Sequence, residues 1–163
     1  MFIFSIDKEI IYKYIHMCLA TKQRLFNINL INSNICDKCT SNSEETQLHL
    51  FYECDYVKPF YLWIIRCLTH LCNFKPSSNI RFLFLDNSYN NSYQKNICNA
   101  FIYIYILTIW RTRKENLRIG DMKIIFIRKL NDYKAFLKLI PKRKFEKLSI
   151  ALSALDTEIL LSL

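Results

Sequence analysis

The chain has 163 residues, 52% hydrophobic and 15% aromatic, which is enough apolar surface for a packed core and excludes wholesale disorder. One Gly and three Pro leave too few positive-φ positions for a tight-turned all-β fold or a glycine-rich phosphate loop, so helices are expected. The formal net charge is +9, and the seven cysteines are an odd count that favours reduced thiols over a disulfide framework.

The start, Met1-Phe-Ile-Phe-Ser-Ile, meets Asp7, Lys8 and Glu9 too soon for a secretory leader. Residues 6–19 then read as an amphipathic helix, with Ile6, Ile10, Tyr14 and Met17 on one face and Ser5 as N-cap. Thr21 is placed to cap a second short helix, TKQRLFNI. Residues 31–47 are rich in Asn and Ser and read as a loop carrying Cys36 and Cys39. From Glu44 to Tyr52 a short helix is expected, with acidic residues in its first turn. A third helix follows from Tyr56 to Leu71, with Pro59 in its first turn, where a missing N–H matters least.

Residues 73–95 read as a connection. The stretch FIYIYILTI, within 96–117, alternates β-branched and aromatic residues as a buried strand would, but its length and the absence of turn residues favour a buried helix. Its apolar core, Ala100 to Trp110, falls far short of the ~20 residues that span a bilayer. Residues 121–140 carry Met122, Phe126, Leu130, Tyr133, Leu137 and Ile140 as one helical stripe. Pro141 stops it, and a last amphipathic helix is expected from Phe145 to Leu161.

The chemistry concentrates in C-D-K-C-T-S-N-S-E-E-T-Q-L-H-L-F-Y-E-C. Cys36 and Cys39 are spaced so that both sulfurs can turn inward on one tight loop. His49 can sit in the last turn of a short helix with Cys54 folded back just past its end. Three thiolates and one imidazole make a closed tetrahedral set, the composition of a structural Zn2+ site with no open position for catalysis. Thiolate softness favours zinc over magnesium or calcium. Cys18, Cys67, Cys72 and Cys98 lie in apolar surroundings and are expected to pack as small hydrophobes. His16 and His70 lack partners at ligand spacing.

From Ile10 to Trp63 the chain resembles the zinc-binding domain that follows the polymerase in reverse transcriptases of non-long-terminal-repeat retrotransposons. The residues that carry the resemblance are "LATKQRL" (Leu19 to Leu25), "ICDKC", "EETQLHLFYEC" (Glu44 to Cys54), the "DY" after Cys54 and Trp63. Downstream, "IWRTRKEN" (Ile109 to Asn116) is similar to a Trp-x-x-Arg-Asn element, with the Asn displaced. Ala20 stands where the family commonly has Pro, the loop between Cys39 and Glu44 is longer, and Trp63 is farther from Cys54. None of these departures touches Cys36, Cys39, His49 or Cys54, which the resemblance also implies as the zinc ligands. It further implies an origin at the tail of an element-encoded polymerase that helps hold RNA or DNA. Polymerisation itself needs carboxylate-held metal ions, and the chain has no Asp-Asp pair, so no enzymatic activity is expected.

The expectation is a mainly α chain: a small helical domain with a Cys-Cys-His-Cys zinc knuckle over 1–75, then a helical basic C-terminal region over 76–163. Between Arg111 and Lys147, 13 Lys/Arg face four acids, which is the whole net charge of the chain. Arg111, Arg113, Lys114, Arg118, Lys142, Arg143 and Lys144 are the candidate contacts to RNA or DNA phosphates. The competing expectation is a structural or protein-interaction zinc module whose basic segment is only a solvated face. Neither a membrane nor a small-molecule substrate is expected, and the setting is intracellular, cytoplasmic or nuclear.

Overall fold

The computed structural model describes residues 5–72 and 92–139, together with Leu152 and Leu160. The architecture is mainly α, and no strand longer than a single bridge occurs among the described residues. The chain divides into two compact units, Phe2–Leu62 and Trp63–Leu163.

In the first unit, α1 (Ser5–Ile15) buries Ile10, Ile11 and Tyr14 and carries a Glu9–Lys13 ion pair on its outer face. It ends earlier than the periodicity predicts. Met17 takes a left-handed conformation (φ 54°) and reverses the chain. The amide of Cys18 donates to the Lys13 carbonyl and that of Met17 to Tyr14, a Schellman closure built without glycine. The second helix, α2 (Lys22–Asn27), starts at Thr21, whose hydroxyl accepts from the Arg24 amide as expected. It closes the same way, with Asn29 left-handed (φ 57°), the Leu30 amide on Leu25 and the Asn29 amide on Phe26. In a chain with one Gly, Met and Asn occupy these positions.

The short helix expected over Glu44–Tyr52 is present, but the structure corrects where it starts. Glu44 instead forms an isolated antiparallel bridge with Ile35, and the helical segment starts at Gln47, with Gln47 and Leu48 α-helical and His49–Glu53 widened into a π-helical turn. His49 therefore lies inside this short helical segment and not in its last turn. The reason is that Glu44 and Glu45 are held by α2: the Glu45 carboxylate accepts from the Lys22 amide at 3.0 Å, and Glu44 accepts from the Gln23 side chain at 2.9 Å. Those tertiary ties override the local preference of acids for a helix start.

After Cys54, whose carbonyl accepts from the amides of Val57 and Lys58, α3 (Lys58–Cys72) begins with Pro59 in its first turn. In the second unit, α4 (Ser92–Thr112) is the helix expected from FIYIYILTI. Almost every position from Ile97 to Ile109 is buried, so no polar face interrupts the apolar run. The side chains of Thr108 and Thr112 turn back onto the carbonyls of Ile104 and Thr108. α5 (Ile119–Leu139) packs on α4 and buries Met122, Phe126, Leu130 and Tyr133 of the predicted stripe, while the side chains of Leu137 and Ile140 lie outside the described residues. Asp121 accepts from the Arg118 amide at 2.9 Å, which satisfies one of the open donors at the helix start. Trp63 from α3 meets Phe126 edge-on at 5.4 Å, and its indole N–H donates to the Leu160 carbonyl at 3.0 Å. Of the helix expected over Phe145–Leu161, Leu152 and Leu160 are described; both are helical and buried. The remainder, and residues 73–91, lie outside the described residues. No described helix is long and apolar enough to cross a membrane.

Candidate metal centre

Two short pieces of the first unit bring the cluster together. The Ile35–Glu44 bridge closes a small hairpin, in which the Cys36 amide donates to the Ser43 carbonyl and the Glu45 amide to Asn34. Asn42, left-handed at φ 50°, lets the chain return to Ser43. Cys36 and Cys39 lie on this hairpin, and the Lys38 amide points at the Cys36 sulfur at 3.4 Å. The π-helical turn supplies His49, and the residue that ends it is Cys54. The Cys54 amide donates to the His49 carbonyl at 2.9 Å, five residues back, so one wide turn places both side chains on the same side. The Thr46 hydroxyl accepts from the His49 amide at 2.8 Å and anchors the entry to the turn.

The ligand atoms of Cys36, Cys39, His49 and Cys54 all lie within 4.8 Å of one another, a cluster that can hold a metal ion. The Cys36 and Cys54 sulfurs are 3.9 Å apart, and Cys39 Sγ is 3.4 Å from His49 Nε2. A tetrahedral zinc ion with the usual bond lengths requires S···S of about 3.8 Å and S···N of about 3.5 Å. The donor set and its spacing therefore fit such an ion. Exposure divides the four: Cys36 (5%), His49 (3%) and Cys54 (1%) are sunk in the unit, whereas Cys39 is half-buried.

Burial pushes the Cys54 thiol up to about 12, and the neighbouring sulfur charges add to the shift. Burial likewise pushes Cys36 up, against amide hydrogen bonds from Lys38 and Cys39. At Cys39 burial also acts upward, but the hydroxyl and amide of Ser41 and the other sulfurs outweigh it, and the thiol is lowered. A cation entering this set must expel protons from the two buried thiols, so metal affinity falls as pH falls.

The clamp around the cluster was not foreseen from the sequence. Lys22 pairs with Asp37 inside the Cys-x-x-Cys loop, and the Gln23 amide donates to the Glu45 carbonyl at 3.3 Å. The Gln47 amide nitrogen donates to the Tyr14 carbonyl at 2.7 Å, at the end of α1. The only sequence signal for this was the Glu44-Glu45 pair, which local helix rules assign elsewhere.

The expected packing cysteines divide. Cys67 and Cys98 are fully buried, while Cys18 is only half-buried, its thiol on the His16 carbonyl at 3.1 Å. The side chain of Cys72 lies outside the described residues. Among the candidate phosphate contacts, Arg111, Lys114 and Arg118 are exposed on and after the end of α4. Arg113 is half-buried, its guanidinium 4.1 Å from the Trp110 ring centroid. Arg118 approaches Asp121 at 3.6 Å but keeps its side chain 91% exposed. Lys142, Arg143 and Lys144 lie outside the described residues. No protein-family model, curated protein or solved structure matches the chain.

Proposed function

We propose that this chain is a non-catalytic, zinc-stapled nucleic-acid-binding module derived from the tail of a non-long-terminal-repeat retrotransposon reverse transcriptase. The observation that carries the zinc part is the convergence of three sulfurs and an imidazole within 4.8 Å, a donor set complete for a tetrahedral ion. The zinc acts as a staple, joining the hairpin that carries Cys36 and Cys39 to the helical turn that carries His49 and leads into Cys54. The origin is supported by the sequence resemblance around Ile10–Trp63 and by the agreement of its ligand set with the cluster.

The binding part is supported by charge placement. Arg111, Lys114 and Arg118 present three exposed cations within eight residues, at the end of α4 and the start of α5. Exposed cations gain free energy near phosphate by releasing counterions, with little dependence on base sequence. Labelled single- and double-stranded oligonucleotides titrated across a salt series test this. Saturable binding at ~100 mM salt that weakens steeply with added salt is the expected result. Neutralising Lys142, Arg143 and Lys144 together should lower the salt slope by about 2–3 phosphate contacts, and neutralising Arg111, Lys114 and Arg118 should do the same. Undetectable affinity, or a slope unchanged by both triple substitutions, would leave the module structural or protein-interacting.

A further inference from the structure

We propose that Cys39 is the corner of the metal site at which the ion is exchanged, and that the Ser41 hydroxyl, backed by Ser43, controls that exchange. The inference rests on the reading of the cluster as a zinc site and adds two residues that are not ligands.

Three of the four ligand residues are closed to solvent, and Cys39 is the one that water or a competing ligand can reach. The sulfurs also differ in what donates to them. Cys36 receives the Lys38 amide, a donor fixed by the backbone. Cys39 receives the Ser41 amide in the same way and a side-chain donor besides: it lies 3.0 Å from the Ser41 hydroxyl, and that hydroxyl lies 2.9 Å from the hydroxyl of Ser43. A metal-bound thiolate can only accept, so Ser41 must donate to sulfur. Its oxygen is then left to accept from Ser43, and the direction of the whole relay is set. Ser43 is itself held in place, because its carbonyl accepts the Cys36 amide. The relay therefore runs from Ser43, which is paired with the first cysteine, through Ser41 to the exposed sulfur of the second.

A donor at this sulfur does two things. It stabilises the thiolate charge, which three sulfurs on one divalent ion leave in excess. It also occupies the position from which a water or a chelator would assist departure of the sulfur. Partners of this outer kind typically change metal affinity by roughly ten-fold or more when removed.

Zinc transfer from the loaded full-length chain to a chromophoric chelator, followed by stopped flow, tests the proposal. Ser41→Ala should release zinc roughly ten-fold faster, Ser43→Ala should fall between it and the wild type, and Ser41→Thr, which keeps the hydroxyl, should restore the slow rate. In the cobalt-substituted chain, Ser41→Ala should move the thiolate-to-metal charge-transfer band to lower energy, because the sulfur lone pair loses its donor. Ser33→Ala, which removes a hydroxyl bonded to the Ile35 amide in the same hairpin, should leave rate and band unchanged. A Ser41→Ala chain with wild-type rate and band overturns the proposal while leaving the zinc site intact. An equal acceleration in Ser33→Ala also overturns it, by reducing the effect to loop stiffness. A wild-type chain that binds neither zinc nor cobalt overturns the site and the proposal together.

Discussion

A His49→Ala chain should bind no zinc and should lose the ordered structure of α1, α2 and the metal hairpin, while α4 and α5 stay helical. The argument follows the ties of residues 44–49. Glu45 holds the first turn of α2 through the Lys22 and Gln23 amides, and Gln47 holds the last carbonyls of α1 through Tyr14. That stretch is itself fixed by the ligands on either side, with Cys36 and Cys39 before it and His49 and Cys54 at and beyond its end. Structural zinc contributes roughly 10–16 kcal/mol of apparent binding energy in small finger peptides, whereas a whole domain is stable by only about 5–15 kcal/mol. Removing the ion therefore exceeds what the first unit can otherwise hold. The second unit keeps its own core of Phe101, Tyr105, Phe126 and Leu130, with no ligand residue in it. Segment-resolved hydrogen exchange with metal analysis checks this; slow exchange throughout residues 5–62 in the metal-free variant would refute it.

Trp63→Ala should cost the second unit about 3–5 kcal/mol. The ring is 2% exposed, stacks edge-on against Phe126, and carries Lys123 5.1 Å over its face. Truncation opens a cavity among rigid aromatic neighbours and also strands the Leu160 carbonyl, whose donor is the indole N–H. A buried acceptor left without its partner costs about 1–3 kcal/mol, which is part of that total. Trp63→Phe should cost less, since it keeps most of the ring contact and loses only the donor. Urea unfolding followed by helix ellipticity measures both. A Trp63→Ala unfolding free energy within about 1 kcal/mol of the wild type would contradict the packing described.

Where apolar periodicity and a strong local signal coincided, the sequence was enough. The stripe Met122, Phe126, Leu130, Tyr133 became the buried face of α5, and Thr21 capped α2. FIYIYILTI was ambiguous because burial on every face erases the contrast from which a period is read. Two features could not be read locally. Met17 ends α1 in a left-handed conformation that sequence rules reserve for Gly or Asn, so the predicted helix ran on to residue 19. Glu44 and Glu45 look like the first turn of a helix, yet they are spent on a hairpin bridge and on α2, 22 or so residues earlier in the chain.

The four ligand positions were legible because coordination chemistry constrains residue type and spacing more tightly than packing does. What spacing could not supply was the π-helical turn, whose wide hydrogen bond from Cys54 to His49 lets a histidine and a cysteine five residues apart face one ion. Nor could it supply the difference in exposure between Cys39 and the other three, which depends on which parts of the chain cover them.

The claim that these four residues hold one zinc ion is tested most directly by zinc K-edge X-ray absorption on the purified full-length chain. The expected first shell is three sulfurs at about 2.3 Å and one nitrogen at about 2.0–2.1 Å, with one ion per molecule. A shell of two sulfurs, a shell of oxygens, or a chain that carries no zinc after purification in its presence would contradict it.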